Sequence, residues 1–217
     1  MSQGRDQDRK GARLELDHLV VAAGRLDEGV AHVEAALGVT MSPGGRHDFM
    51  GTHNALLSLG PSAYLEVIAI DPQADAPPRP RWFGLDGVSG PPRLTNWVCR
   101  SGDLERDIQL APDWCGEIVD AARGGLRWRM AVPDAGQYPL DGAFPGLISW
   151  VSERHPAAVL PDRGVRLEML EICCPDAAVP QSALAGMLDM DKIRVVQGEV
   201  TQLTATLRMG DEVLCLS

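Results

Sequence analysis

The stretch that decides the fold is LELDHLVVAAGRLDEGVAHVEAALG at residues 14–38. Its opening residues are rich in Leu and Val, which is typical of a β-strand. After Gly24, apolar side chains recur at helical spacing across residues 26–37. Gly38 follows, where a helix C-terminus commonly has a glycine. The stretch therefore predicts a strand that leads directly into an amphipathic helix.

Two further strands are predicted at residues 54–59 and 63–70, and the turn Gly-Pro-Ser between them indicates a hairpin. The next segment, residues 71–92, contains so many prolines that a loop is predicted. Trp82 and Phe83 lie within it, and we expect these two rings to anchor the loop on the core.

Residues 94–155 form a less regular region. Strands are predicted there at 94–99, 126–132 and 147–151, an amphipathic helix at 104–110 and a short helix at 114–122. From residue 165 the opening pattern returns: a strand at 165–174, a helix at 179–188 and three strands at 193–196, 203–209 and 212–216.

The two ends of the chain can be aligned with each other. HLVVAAG at 18–24 matches MLEICCP at 169–175, and ALLSLG at 55–60 matches ATLRMG at 205–210. Since one such unit supplies too little sheet to be stable alone, the repeat predicts that the two units pair around one core.

DHLVVAA at 17–23, GGRHDFMGTHNALLSLG at 44–60, YLEVIAID at 64–71 and ISWVSERHPA at 148–157 resemble the glyoxalase-like domain family of the vicinal oxygen chelate superfamily. The resemblance implies an α+β fold in which two paired βαβββ modules form a cupped, mostly antiparallel sheet. It also implies a divalent metal in the cup (Zn, Fe, Mn or Ni) that chelates vicinal oxygens of a substrate.

The predicted organisation is a disordered leader at residues 1–12 and a single domain at 13–217. Within that domain we place module one at 13–71, a linker with an elaboration at 72–164, and module two at 165–217.

The predicted metal ligands are His18, Glu66 and His53. His18 and Glu66 each share a strand face with apolar residues, where a polar side chain is costly unless it is paired or metal-bound, and both match ligand positions of the superfamily. His53 would complete a set of two histidines and one carboxylate, and it is also the candidate catalytic residue. In the predicted module two, the corresponding positions fall on Met169 and near Leu214, neither of which suits a hard ion.

Other interpretations stay open for these three residues. His18 can be a core histidine satisfied by Asp17, Glu66 can pair with an arginine such as Arg46, and His53 can bond within its turn. Predicted substrate-binding residues, from segments that match the family, are Asn54, Trp150 and His155.

Three functions remain in view. The first is a metal-dependent lyase, isomerase or dioxygenase-type enzyme acting on a small oxygenated substrate. The second is a metal-free protein that binds or sequesters a small molecule in the same cup. The third is a structural or interaction protein.

The composition narrows the partners. With a net charge of -10 and a pI near 4.9, the 217-residue chain disfavours nucleic acid and anionic membranes. Neither a membrane-length apolar stretch nor a secretory signal is found, and the five scattered cysteines do not suggest a disulfide framework. We therefore expect a cytoplasmic protein with a small-molecule ligand, and the modular fold also allows a homodimer.

Overall fold

The computed structural model describes residues 14–111 and 115–217, so the predicted leader lies outside the described residues. The strands and helices of this part of the chain are, in order, β1 (Glu15–Ala22), α1 (Leu26–Leu37), β2 (Ser42–His47), β3 (Thr52–Ser58), β4 (Tyr64–Ile70), β5 (Arg93–Arg100), α2 (Leu104–Leu110), β6 (Glu117–Arg123), β7 (Leu126–Val132), β8 (Gly146–Trp150), α3 (Pro156–Val159), β9 (Val165–Cys174), α4 (Ala178–Leu184), β10 (Ile193–Gln197), β11 (Gln202–Met209) and β12 (Glu212–Leu216).

The opening of the chain folds as its pattern predicts. α1 carries Val33 and Leu37 into the core, and Gly38 ends the helix with a left-handed φ of 67°. Its N–H donates to the carbonyl of Glu34 at 2.9 Å, which satisfies one of the free carbonyls of the last turn. β3 and β4 form the predicted antiparallel hairpin.

Eight strands form one curled sheet in the order β2-β3-β4-β1-β5-β8-β7-β6. Its two halves, residues 15–70 and 93–150, share a topology, because each runs strand, helix and three strands. In each half the first and last strands are parallel neighbours, and β1 joins the halves by pairing antiparallel with β5. This confirms the predicted α+β fold with two paired βαβββ modules.

The position of the second module differs from the prediction. Residues 165–216, the tail sheet, form a separate four-stranded sheet in the order β10-β9-β11-β12. Its elements follow the predicted order, but β9 pairs directly with β10, whereas β1 pairs with the last strand of its own half. Similar local patterns therefore led to different strand pairing, and the segment interpreted as an elaboration supplies the second half. The predicted helix at 114–122 is wrong over Glu117–Arg123, which pairs with β7 as an edge strand.

An internal two-fold relation becomes visible once the halves are known. Leu19 of β1 lies opposite Trp97 of β5, and the pairing on either side is irregular at Asp17 and at Thr95, which are both extra residues in their strands. TNWVCRSGDL at 95–104 thus corresponds to DHLVVAAGRL at 17–26. Such bulges turn side chains away from the regular alternation and recur beside functional sites.

Two apolar clusters lie on opposite faces of the curled sheet. The outer cluster joins the sheet to α1 and to the tail sheet. The inner cluster fills the cup, and Trp82 and Phe83 of the proline-rich segment are buried in it, as expected from the sequence. The sheet curls so far that its edge strands β2 and β6 come into contact. None of the helices in the described ranges has the length and apolar character needed to cross a membrane.

Candidate functional site

A small polar pocket lies inside the cup, between the strands of the first half and the walls of the second. The first half contributes His18, His47, Asn54, Tyr64 and Glu66, and these polar side chains are buried. The other lining residues are Trp82, Phe83, Arg123, Trp128, Met130, Ile148 and Trp150.

Asp17 is the centre of a hydrogen-bond network at the base of this pocket. Its carboxylate is fully buried and accepts hydrogen bonds from His18 Nδ1 at 2.7 Å, His155 Nε2 at 2.9 Å and Trp150 Nε1 at 2.9 Å. Burial alone would raise the pKa of Asp17, but the hydrogen bonds from His155 and His18 outweigh it and hold that pKa well below its usual range. Asp17 is therefore an ionised acceptor.

The Asp17 carboxylate fixes the tautomer of His18. Since Asp17 accepts from Nδ1, the proton of the neutral ring is on Nδ1 and the lone pair is on Nε2. Nε2 faces Glu66 Oε2 at 3.6 Å, and Tyr64 stacks on the imidazole with ring centroids 4.6 Å apart. The arrangement is that of a histidine held in place as a proton acceptor.

Asn54 connects Glu66 to the opposite edge of the sheet. Its Oδ1 accepts from Gly45 N at 2.9 Å and from Arg123 Nη1 at 2.7 Å, so its Nδ2 donates to the Glu66 carboxylate. Arg123 lies on β6, and it reaches Asn54 from across the cup. A Cβ on Gly45 would lie 2.7 Å from the Arg123 side chain, so the glycine leaves room for it.

His47 is a neutral partner of the same guanidinium. Its Nε2 lies 3.2 Å from Arg123 Nη1, and its Nδ1 lies 3.0 Å from the Thr52 hydroxyl. Burial, followed by the positive charge of Arg123, lowers the pKa of His47 well below its ordinary value. The uncharged imidazole therefore accepts from Arg123 and donates to Thr52.

Aromatic rings close the pocket. Trp82 packs edge-on to His47 at 5.0 Å and lies 6.5 Å from Trp128. The free volume between these side chains is about 30 Å³, enough for one or two water molecules. The Trp82 Nε1–H is buried and has no hydrogen-bond partner among the described residues. Such a donor is costly when unpaired, so it is suited to an oxygen of a bound ligand.

The structure brings together four of the residues predicted from sequence and separates two. His18, Glu66, Asn54 and Trp150 line the pocket, while His155 lies behind it as a partner of Asp17. His53 lines a groove on the outer side of the sheet instead.

The predicted ligand set of His18, Glu66 and His53 does not form. The reason is the alternation along β3, in which His53 shares its face with Ala55 and Leu57 of the outer cluster. Glu66 does not pair with Arg46, which binds Asp71 at 2.8 Å instead. Met169 and Leu214 lie in the tail sheet and not in the second half of the cup.

The pocket residues do not fit a resident divalent metal. Within residues 14–111 and 115–217, no group of three or more His, Cys, Asp or Glu side chains is placed to hold one. His18, His47 and Glu66 are residues of the usual ligand types in this pocket. Both ring nitrogens of His47 are already bonded to Arg123 and Thr52, and the guanidinium of Arg123 repels a cation. The donors of Arg123 and Trp82 favour an anionic or carbonyl oxygen instead.

Several pocket residues were missed by the sequence reasoning. Asp17 was considered only as a neighbour of His18, because its burial depends on a bulge that the pattern does not reveal. Arg123 and Trp128 lie in strands in which apolar and polar side chains alternate along the sequence. The local sequence does not indicate that these two side chains face the cup. His47 had a possible signal in its position beside the predicted hairpin.

Comparison with known proteins places this geometry in context. The sequence matches the family described as glyoxalase-like domain over residues 16–188. No curated protein matches it. Among solved structures, a hypothetical protein from Staphylococcus aureus superposes with a TM-score of 0.63 at 15% identity, with 92% of each chain covered. That similarity supports the fold.

Weaker matches include two methylmalonyl-CoA epimerases. The enzyme from Streptomyces coelicolor has 17% identity and a TM-score of 0.42, with 65% of this chain and 99% of that chain covered. The enzyme from Mycobacterium tuberculosis has 20% identity and a TM-score of 0.41, with 65% and 89% covered.

Proposed function

The chain belongs to the glyoxalase-like domain family, and we propose that it is an enzyme that transfers a proton on a small substrate carrying a carbonyl or carboxylate oxygen. The observation that supports this most directly is the buried pair Asp17–His18 with its Nε2 directed at Glu66. Family membership does not specify the reaction, which is inferred from the residues of the pocket.

His18 is the proposed base. Its Nε2 removes a proton from the carbon next to the substrate carbonyl; the C–H bond breaks and its electron pair moves to the oxygen. Asp17, already ionised, stabilises the imidazolium that results, which is the usual role of a carboxylate behind a catalytic histidine. Glu66 Oε2 lies 3.6 Å from Nε2, so it accepts this proton from the imidazolium, exchanges it with solvent and returns a proton to Nε2.

Arg123 and Trp82 are the proposed stabilisers of the substrate oxygen. Arg123 brings a fixed positive charge into the pocket, and the indole N–H of Trp82 is an unpaired donor. Charge that develops on the oxygen during proton removal would be stabilised by these groups in a pocket lined by buried aromatic side chains. Return of the proton to the same carbon regenerates His18 and gives an isomerised or exchanged product.

Deuterium exchange tests this proposal. The protein is incubated in D₂O with a panel of small 2-oxo acids and hydroxyketones, and loss of the α-proton signal is followed by NMR. We expect exchange with the native chain, and a loss of about 100-fold or more in His18→Gln and Glu66→Gln, since a positioned acid or base typically contributes that much.

Two controls accompany the exchange experiment. Arg194→Ala changes an exposed ion pair in the tail sheet and should exchange at the native rate. His53→Gln should also keep the activity, because His53 lies outside the cup. Exchange that survives in both pocket variants, or is absent throughout the panel, would argue against the proposal.

A metal-free binding protein is the second candidate, and the closed aromatic lining of the pocket favours it. It predicts saturable binding of the same compounds, abolished in Arg123→Gln, without any exchange. Metal analysis of the purified protein separates both candidates from the metal-dependent enzyme of the sequence hypothesis: stoichiometric metal lost in His18→Gln would support that hypothesis. The cytoplasmic location and the homodimer stay predictions.

A further inference from the structure

A second, larger cavity lies beside the small pocket, and neither the family nor the proposed reaction accounts for it. This cleft holds about 660 Å³ and is bordered by the proline-rich segment, the start of β5 and the start of β11. Phe83 lines both cavities, so the ring separates them. The volume is in the range of small-molecule sites.

The cleft contains the internal counterpart of the Asp17–His18 pair. Under the two-fold relation of the sheet halves, Asp17 corresponds to Thr95 and His18 corresponds to Asn96, and both bulges occur at equivalent places. Thr95 and Asn96 line the cleft as His18 lines the small pocket. The β-bulge of the first half therefore places the ionisable pair Asp17–His18 at the small pocket. The equivalent bulge of the second half places the neutral pair Thr95–Asn96 at the cleft.

Both neutral side chains are without partners. Asn96 is only 5% exposed and its carboxamide forms no hydrogen bond within residues 14–111 and 115–217, but its polar atoms are not fully buried and stay accessible from the cleft. The buried Thr95 hydroxyl also has none there. Buried polar groups are nearly always satisfied, so the unpaired Thr95 hydroxyl beside a carboxamide that is open to the cleft indicates a ligand that bonds to this pair.

The remaining lining specifies the chemistry of that ligand. Two charged side chains at the mouth are held by neutral partners, since Arg93 donates to the Ser89 carbonyl and Asp141 accepts from Gln137. A carboxamide presents a donor and an acceptor side by side, which matches the edge of another amide. Phe83 and Tyr138, stacked with centroids 5.3 Å apart, form an aromatic wall.

We propose that this cleft is a second binding site, specific for an uncharged planar amide or lactam ring whose amide edge pairs with Asn96. The proposal does not depend on the reaction assigned to the small pocket. Thr95 supplies a further hydrogen bond when the ring is bound, and Phe83 supplies the stacking surface.

The test is a titration of the full chain with benzamide, followed by protein NMR chemical shifts, with benzoate as the charged control. We expect saturable benzamide binding and at least about tenfold weaker benzoate binding, since a carboxylate has no donor for the Asn96 oxygen and loses its hydration on entering the cleft. Asn96→Leu should weaken benzamide by about tenfold, the equivalent of one lost hydrogen-bond pairing.

Two further variants keep the proposal testable if Asn96→Leu folds poorly. Thr95→Val keeps the shape of the side chain and removes an unpaired hydroxyl, so the melting temperature should not fall while benzamide binding weakens. His18→Gln should leave benzamide binding within about twofold, even though it removes the proposed base. Binding that is absent, that survives Asn96→Leu and Thr95→Val, or that is lost in His18→Gln would overturn the second site.

Discussion

The two halves of the eight-stranded sheet share a topology but bring different chemistry into the cup. The first half directs Asp17, His18 and Glu66 inward, whereas the corresponding positions of the second half hold Thr95, Asn96 and Gly146. The second half contributes aromatic walls and one guanidinium instead. Buried charges are costly unless they satisfy one another, so a network confined to one half can be completed by a few neighbours. The comparison shows that a duplicated scaffold needs only one charged copy to form a buried polar network.

The largest effect should come from neutralising the centre of the charged half. Asp17→Asn removes the negative charge shared by His18, His155 and Trp150 and replaces one acceptor oxygen with an NH₂ donor. We expect the free energy of unfolding to fall by roughly 3 to 5 kcal/mol, as when one member of a buried charged network is lost. Urea denaturation followed by circular dichroism measures it. Asp120→Asn is the matched control. The Asp120 side chain is exposed on β6, so this change should leave the free energy of unfolding unchanged. Equal stability of the two variants would contradict the contrast between the halves.

A smaller effect should follow from cutting one link between the halves. Trp150→Phe keeps an aromatic ring on β8 and removes the N–H that donates to Asp17. The expected loss is about 1.5 kcal/mol, the contribution of one hydrogen bond to a charged group. The same denaturation measurement in the Asp17→Asn background should show little additional loss, because the acceptor charge is already gone. Additive losses would mean that the ring and not its N–H stabilises the fold.

Stability should also depend on pH through His47. Its pKa is lowered by burial and by Arg123, so below about pH 6.5 the unfolded chain binds a proton that the folded chain does not. The His47 contribution is therefore fully present above that pH and decreases as the pH falls, by up to about 1.4 kcal/mol per unit. Melting curves between pH 7.5 and 5.5 measure the slope, and His47→Gln should flatten it. Unchanged slopes in the two proteins would show that His47 is not the titrating group.

The smallest effect is expected in the tail sheet. Arg194 and Glu171 form an exposed ion pair there, far from the charged network of the first half. Arg194→Ala should change the free energy of unfolding by less than about 0.5 kcal/mol, the usual range for surface substitutions. A loss comparable to that of Trp150→Phe would mean that the tail sheet depends on specific pairing more than the cup does.

The sequence allowed prediction of the first half because its elements are local. The strand of residues 14–23, the helix that ends at Gly38 and the following hairpin are all present. The second half was misplaced because strand order is decided by long-range pairing, which hydrophobic periodicity does not encode. The two halves of the sheet correspond when Gly24 is aligned with Gly102. Their sequence similarity is lower than the similarity between the first half and the tail, which suggested the wrong pairing.

The candidate site could be predicted only where alternation along a strand decides which face a residue occupies. His18 and Glu66 share faces with inward apolar residues, and both line the pocket. The same rule put His53 on an apolar face with Ala55, but alternation does not say which apolar face is inward, and His53 lies on the outer side instead of joining His18 and Glu66. The alternation rule fails for Asp17, because the β-bulge at this residue changes the direction of its side chain. The role of Arg123 could not be predicted from alternation either, because it depends on the curl of the whole sheet, which brings β6 against β2.

That meeting of β2 and β6 has a consequence for how the cup is closed. The two strands share no ladder within the described residues, and the Arg123 side chain spans the gap between them by binding Asn54 and His47. Separating the strands therefore breaks side-chain bonds and leaves every backbone ladder intact. The closure of the cup at this seam therefore depends on one side chain, and an Arg123 substitution would remove it without disrupting any strand pairing.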